Sequence, residues 1–161
     1  MPVFVRMLGN AGRWLDKAEA YAAAKGFEPA VYMNARLAPD MLPLPKQIQI
    51  AADAAKFCVA RLSGLDAPAY SDDETTLGEL RERLAKTIAF LKSVDPGALD
   101  GTDTKEVTVP RRQGPVVMRG DVYLRHFVLA NFYFHLTTTY ALLRANGVEL
   151  GKADFLGPAE G

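Results

Sequence analysis

The sequence is poor in cysteine and has no long apolar run. Cys58 is the only cysteine of the 161-residue chain, so an intrachain disulfide is impossible. No apolar run approaches the roughly 18 residues that a membrane-spanning helix needs. The N-terminal segment lacks the charged start and the long apolar core of a signal peptide. These absences predict a cytoplasmic protein that does not cross a membrane.

An excess of charge of either sign is also absent. Lys+Arg and Asp+Glu are equal at 19 each. A nucleic-acid-binding protein needs a basic surplus or a basic stripe to neutralise phosphates, and Arg111-Arg112 is the only adjacent basic pair. Nucleic acid is therefore not an expected partner. The hydrophobic fraction of 49% is that of an ordinary globular chain, and the length suits a single domain over residues 1–161.

Several motifs of catalytic and ligand-binding sites are missing. The chain has no phosphate-binding glycine loop and no nucleophile elbow around a serine. The acidic run "SDDETT", residues 71–76, lacks EF-hand spacing and is interpreted as the cap of a helix. A catalytic thiol needs exposure and a cationic neighbour. Cys58 lies instead on the apolar stripe of its helix, which predicts a buried structural residue.

Four long helices are predicted from apolar residues that recur every three or four positions. The first spans about Val3–Lys25, and the second is opened by Pro43 and Pro45 and runs to about Ser63. The third spans about Leu77–Val94 and the last residues 120–147, with a break expected near Ala130. Thr76 and Glu79 have the spacing of a capping box at the start of the third helix. The exposed side of that helix is expected to carry Arg81, Glu82, Arg83 and Lys86.

A change of period between the third and last helices predicts a small β-hairpin. Val107–Val109 and Val116–Met118 flank a turn that contains proline and glycine. Because an isolated hairpin is barely stable, this one is expected to lie on the helices. The fold class is therefore all-α, a four-helix bundle with a β-hairpin between helices 3 and 4. The long proline-rich link before the second helix permits a crossover connection.

Two polar residues lie on the most apolar face of the last helix. At about 100° per residue, His135 falls about 40° from Asn131, near the centre of the apolar arc. Burying either side chain without a partner costs roughly 1–3 kcal/mol. One interpretation is structural: His135 bonds Asn131 or a polar group of the second helix, for which Gln47 is well placed. The other is a metal or substrate site, since residues four apart on a helix can meet one ion.

Two further candidate residues come from the preceding half of the chain. Asp53 is the acidic residue in the middle of the second helix and could supply a ligand to a site with Asn131 and His135. It also suits a partly wet second face of that helix. Arg36 lies in the proline-bounded loop, where it could clamp a carboxylate of a ligand. The favoured alternative is a salt bridge from Arg36 to Asp40 that ties the loop down.

Segments over most of the chain resemble a known group of bundles. They are "LDKAEAYAAAKG", "NARLAPDM", "QIQIAADAAK", "DDETTLGELRERLAKTIAFL" and "NFYFHLTTTYALLRANGVELGKADFLG". They resemble the DinB/YfiT-like superfamily of four-helix bundles, and within it a bacterial family known only as a domain of unknown function. The resemblance implies a site of three histidines, one from the second helix and two from an HxxxH on the last. It also implies relatives that are thiol-dependent transferases or isomerases.

The sequence departs from that three-histidine pattern. The last helix has Asn131-x-x-x-His135, and the second helix has no histidine. Asp53, Asn131 and His135 are then the remaining metal-ligand candidates, for a divalent ion such as Zn²⁺ or Ni²⁺, although an amide is a poor ligand. We therefore expect a non-catalytic or vestigial relative with no bound cofactor. The alternative is a metal- or thiol-dependent transferase or isomerase with a core site at His135.

Aromatic residues predict how the protein assembles. Tyr133 and Tyr140 fall on the side of the last helix away from His135. Exposed aromatic side chains on a bundle helix suit a subunit interface, so a homodimer through helix faces is expected. The other possible partner is a small-molecule ligand in the core.

Overall fold

The computed structural model describes residues 1–158, and most of them are helical. Three long helices are α1 (Pro2–Lys25), α2 (Leu44–Ser63) and α3 (Leu77–Ser93). The fourth, α4, joins an α-helical turn, a π-helical segment and a long α-helical segment, which are Gly120–Val122, Tyr123–Val128 and Leu129–Ala145. Shorter helices are two 3-10 segments and a terminal α-helix, α5: Pro29–Asn34, Pro96–Leu99 and Lys152–Leu156. The four predicted long helices are confirmed.

The order of the helices around the core is α1, α3, α2, α4. Helix α1 packs against α3 and α4, and α2 packs against the same two helices. Consecutive helices α1 and α2 therefore lie diagonally across the bundle. The connection between them, residues 26–43, spans this diagonal, as the prediction of a crossover allowed.

The core is the meeting point of the four apolar stripes. Trp14 of α1 and Phe132 of α4 are among its largest fully buried side chains. The rings of Phe4 and Phe132 meet edge to face, with centroids 5.0 Å apart. Such aromatic contacts add specific geometry to the burial of apolar area. Among residues 1–158, no helix is both long and apolar enough to cross a bilayer.

The start of α3 has the expected capping box. The backbone N–H of Glu79 donates to Thr76 Oγ1 at 3.2 Å, and the backbone N–H of Thr76 donates to Glu79 Oε2 at 3.0 Å. Both bonds satisfy donors that the first turn of a helix leaves free. Thr76, the last residue of the acidic run, thus caps α3 as predicted, whereas Asp72 and Glu74 of the run pair with side chains of α2 and α3.

The last helix differs from its prediction. It continues through Ala130 without a break, and its irregularity lies earlier, in the π-helical segment Tyr123–Val128. At the start of this helix, a Cβ added to Gly120 would lie 1.9 Å from the carbonyl oxygen of Thr102. Only glycine allows the preceding loop to approach the backbone this closely.

The predicted hairpin is present between α3 and α4. Strands β1 (Glu106–Val109) and β2 (Val116–Arg119) are antiparallel, and Val107 pairs with Met118. The side chains of Val107 and Val109 are buried, whereas the alternate residues of β1 are exposed. The hairpin therefore packs one face on the bundle, as a strand period of two requires.

Candidate functional site

A hydrogen bond between α4 and α2 forms the polar centre of the bundle. His135 is 7% exposed and Gln47 is 1% exposed. The ring nitrogen Nδ1 of His135 lies 2.7 Å from Oε1 of Gln47. The two residues are 88 positions apart in the chain. His135 thus points into the bundle and bonds the second helix through Gln47.

The amide of Gln47 determines which nitrogen of His135 carries the proton. Gln47 Nε2 donates to the carbonyl oxygen of Leu42 at 2.9 Å, so Oε1 faces the imidazole as an acceptor. The imidazole Nδ1 must then donate, which leaves Nε2 with a lone pair in the neutral ring. Burial lowers the pKa of His135 below its ordinary value. The neutral form is therefore favoured near neutral pH.

Asn131 does not bond His135 within the part of the chain that the structure describes. Its side chain is half-buried, one turn before the imidazole. The neighbouring hydroxyls bond their own helix: Thr138 Oγ1 donates to the Phe134 carbonyl at 2.8 Å, and Thr139 Oγ1 to the His135 carbonyl at 2.9 Å. The alternative partner from the second helix, Gln47, is the one that the structure brings to His135.

Asp53 and Arg36 each have a local partner. Asp53 Oδ1 lies 2.9 Å from Nζ of Lys56, one turn further along α2. Arg36 donates to the carbonyl oxygen of Met41, and within residues 1–158 it forms no ion pair with Asp40. The expected salt bridge of the proline-bounded loop is therefore wrong, because a main-chain acceptor takes the guanidinium. The loop is still tied down through Arg36.

A buried group of charged residues beside α2 and α3 was not predicted from the sequence. Arg83, expected on the exposed side of α3, has a side chain only 2% exposed, and its Nε lies 2.9 Å from Oε1 of Glu74. Lys56 is equally buried, with Nζ 4.0 Å from the ring centroid of Tyr70. These contacts fasten the loop between α2 and α3 to the bundle. Cζ of Arg83 lies 5.2 Å from the same ring centroid, so the Tyr70 ring lies close to both buried cations.

Arg83 is buried, contrary to the prediction, for a clear physical reason. A periodic pattern assigns charged residues to solvent because burying an unpaired charge is costly. Here Glu74 and Asp72, both from the preceding loop, supply carboxylates to Arg83. The sequence signal that was available is the acidic run "SDDE" close before an arginine-containing helix. Interpretation of the run as a helix cap alone does not predict this pairing.

The residues present offer few ligands to a metal. Among residues 1–158, no group of three His, Cys, Asp or Glu side chains is placed to hold one ion. Cys58 is buried, and desolvation raises the pKa of its thiol to about 12, so the thiolate form is disfavoured. Five of the clefts that residues 1–158 form, with volumes of about 410–640 Å³, are lined by residues other than His135 and Cys58, and Glu74 and Arg83 line one of them.

The aromatic residues of α4 differ in exposure from the expectation. Tyr140 packs edge to face on Trp14 and Phe155, and its hydroxyl donates to the Leu150 carbonyl at 3.3 Å. The C-terminal segment thus covers it. Tyr133 is half-buried, whereas Phe134 is 57% exposed.

The sequence of this chain matches a described family over nearly its whole length. The family described as "Domain of unknown function (DUF1993)" matches residues 1–156. The chain belongs to the DUF1993 family. No curated protein matches the chain.

A solved structure shows the same fold at substantial sequence identity. The crystal structure of a DinB family member protein from Shewanella denitrificans, at 1.83 Å resolution, is 42% identical. The match covers 98% of this chain and 89% of that chain, with a TM-score of 0.91. The predicted resemblance to DinB-like bundles and to a family of unknown function is therefore confirmed.

Proposed function

We propose that this chain is a non-catalytic member of its family, in which the polar centre of the bundle serves stability rather than chemistry. The observation that carries the proposal is the 2.7 Å hydrogen bond between His135 Nδ1 and Gln47 Oε1. Gln47 extends the link to the Leu42 carbonyl. These bonds join α4, α2 and the proline-rich connection, so they hold together elements that are distant in the chain.

The ligand set argues against a tightly bound metal. Protein zinc sites use three or four imidazole, thiolate or carboxylate ligands. Of the candidates, Asn131 offers only a neutral amide, and the carboxylate of Asp53 is paired with Lys56. His135 is then left without a strong second ligand. This supports the view that the three-histidine site implied by DinB-like relatives is lost here.

Metal analysis tests the proposal directly. Protein purified without an affinity tag is analysed for elements and then titrated with Zn²⁺ or Ni²⁺ while the melting temperature is followed. We expect no stoichiometric metal, and the melting temperatures of the wild type and of His135→Gln should change equally during the titration. His126→Gln, which changes the exposed histidine, is the matched control. One metal per chain that is lost only in His135→Gln would contradict the proposal.

A second candidate function rests on the other ring nitrogen. Nε2 of His135 carries a lone pair and forms no hydrogen bond within residues 1–158. In metal sites, the second ring nitrogen of a ligating histidine commonly donates to an oxygen acceptor, as Nδ1 does here. A metal- or thiol-dependent transferase or isomerase would use this geometry. Long-range ¹H–¹⁵N NMR of the imidazole during titration with Zn²⁺ and a low-molecular-weight thiol separates the two functions: a shift of Nε2 supports the enzyme.

A non-catalytic bundle acts through its surface, and we propose that this one forms a homodimer in the cytoplasm. Phe134 supports the interface, since 57% of this aromatic residue on α4 is exposed. Light scattering at micromolar concentration should give a dimer for the wild type and a monomer for Phe134→Ser. Val31→Ser, at a residue 55% exposed on a 3-10 segment, is the control. A monomeric wild type contradicts the proposed assembly.

A further inference from the structure

An apolar groove runs beside the N-terminal half of α1. It consists of two adjoining clefts of about 640 and 460 Å³ that share Pro2, Val5 and Lys92. The first extends along α1 as far as Arg13, and the second extends to Leu99 after α3. Volumes of this size are typical of small-molecule sites. The groove uses none of the residues assigned to the proposed function.

Apolar side chains form most of the groove. Val3 and Val5 of α1 line it together with Leu91 and Val94 at the end of α3. Val3 is 37% exposed, although it is a large aliphatic residue. Covering such side chains with an alkyl chain removes apolar area from water, which is favourable in proportion to that area.

Among residues 1–158, every charged side chain that lines the groove is a cation. They are Arg6 and Arg13 on α1 and Lys92 on α3. Arg6 donates to the Leu156 carbonyl at 3.2 Å, and Arg13 donates to the amide oxygen of Asn10, so neither charge meets a carboxylate in these bonds. Within residues 1–158, none of the three cations forms an ion pair.

The amino-terminal end of α1 adds positive potential to the same groove. A helix of 24 residues begins here at Pro2, and its first turn has no acidic residue and no side-chain cap. The amino end of a helix carries a partial positive charge that acidic residues or bound anions ordinarily offset. Asp95 follows the end of α3, but its carboxylate accepts from the backbone N–H of Gly97 at 3.1 Å and does not line the clefts.

From these observations we infer that the groove binds an anionic amphiphile, namely a carboxylate with a long alkyl chain. The carboxylate lies among Arg6, Arg13 and Lys92, and the alkyl chain lies along Val5 towards Leu99. The three cations, which form no ion pair within residues 1–158, specify the sign of the head group, and the apolar walls specify the tail. A second copy of this chain fits less well, because its net charge is zero and it offers no matching excess of acid.

Dodecanoate, kept below its micelle concentration, tests the inference on the full chain. We expect saturable binding of one molecule per chain, with ¹H–¹⁵N NMR shifts that concentrate at Val3, Val5, Gly9 and Lys92. Dodecyltrimethylammonium has the same alkyl length and the opposite charge, and it should bind at least tenfold more weakly. Each methylene removed from the acid should weaken binding about twofold to fourfold. Added salt should also weaken it.

Substitutions then locate the two halves of the ligand. Lys92→Gln should weaken dodecanoate binding about twofold to fivefold. Lys86→Gln, on the exposed part of the same helix, is the matched control and should change nothing. Val3→Glu places a carboxylate in the groove at the first turn of α1, where the helix dipole tolerates it. It should abolish binding while the circular dichroism spectrum stays unchanged.

Three results would overturn the inference. The first is equal binding of the cationic amphiphile, since the cations would then have no role. The second is NMR shifts centred on His135 rather than on Val5 and Lys92. The third is a dimer whose interface covers Val3. It would be seen as protection of the Val3 and Val5 backbone amides from hydrogen exchange at high protein concentration without any amphiphile.

Discussion

Replacing Gln47 by leucine is expected to destabilise the fold, although the substitution puts an apolar residue into a buried site. Gln47 is 1% exposed, and its Oε1 accepts the proton of His135 Nδ1 at 2.7 Å. Leucine has a similar volume but no acceptor, so the imidazole donor is left buried and unpaired. An orphaned group of this kind costs about 1–3 kcal/mol. The apolar area gained by leucine offsets part of that cost.

The second single variant has the converse defect. His135→Leu leaves Oε1 of Gln47 without its donor, while Nε2 of Gln47 still donates to the Leu42 carbonyl. Only one of the two hydrogen bonds of the amide is lost. We therefore expect a cost of about 1–2 kcal/mol in the free energy of unfolding.

The double variant separates pairing from packing. With both Gln47→Leu and His135→Leu, no polar group of the pair remains to be orphaned, and two apolar side chains face one another. Removing both partners is often nearly neutral. The coupling energy of the double-mutant cycle should therefore be about 1–2 kcal/mol, well above the scatter for independent sites.

Urea unfolding followed by circular dichroism at 25 °C measures all four proteins. Equal slopes of unfolding free energy against urea concentration are required, because a changed slope would report a different unfolded or native state. Additive costs of the two single variants would refute the reasoning. A stabilising Gln47→Leu would refute it as well, since the imidazole would then have no need of its acceptor.

Three further predictions concern His135, a pair of glycines and Cys58. Burial lowers the pKa of His135, so below pH 6.5 the unfolded chain binds a proton more readily than the folded chain does. The free energy of unfolding should therefore decrease as the pH falls, by up to about 1.4 kcal/mol per pH unit. His135→Gln should lose this pH dependence in urea titrations. Gly12→Ala should raise the free energy of unfolding by roughly 0.5–1 kcal/mol, because an added Cβ there meets nothing within 4 Å. Gly120→Ala should instead lower the melting temperature, because its Cβ would lie 1.9 Å from the Thr102 carbonyl oxygen. Cys58 should react with a thiol reagent only on unfolding, since its thiol is buried and its pKa is raised to about 12; rapid labelling of the folded protein at pH 8 would contradict this.

The fold was largely predictable from local patterns. The apolar period of three to four residues located the long helices, and Thr76 with Glu79 located the start of α3. The period of two in Val107–Val109 located the hairpin. These features depend on residues a few positions apart, so the sequence contains them directly. The predicted break near Ala130 was wrong because a π-helical segment absorbs the irregularity upstream without interrupting the helix.

The candidate site was predictable only in part. The helical arc put His135 on the buried face and left its partner open between Asn131 and Gln47. The choice depends on how α2 and α4 are placed against one another, which no local pattern contains. Ligand roles for Asn131, Asp53 and Arg36, and the dimer, stay predictions. For Arg83, the rule that charged residues are exposed failed, because the rule ignores carboxylates that tertiary folding brings to the guanidinium.

The sequence by itself determined where each helix begins and which of its faces is apolar. It also determined that a polar pair interrupts the apolar face of the last long helix. Tertiary structure alone decided the order α1, α3, α2, α4 around the core and the partner of each buried polar group. The physical reason is the distance along the chain over which each interaction acts. Helix periods and caps act over three or four residues, whereas His135 and Gln47 are separated by 88 positions and meet only when the helices pack. The cost of burying an unpaired polar group requires that a partner exist, and packing determines which residue it is.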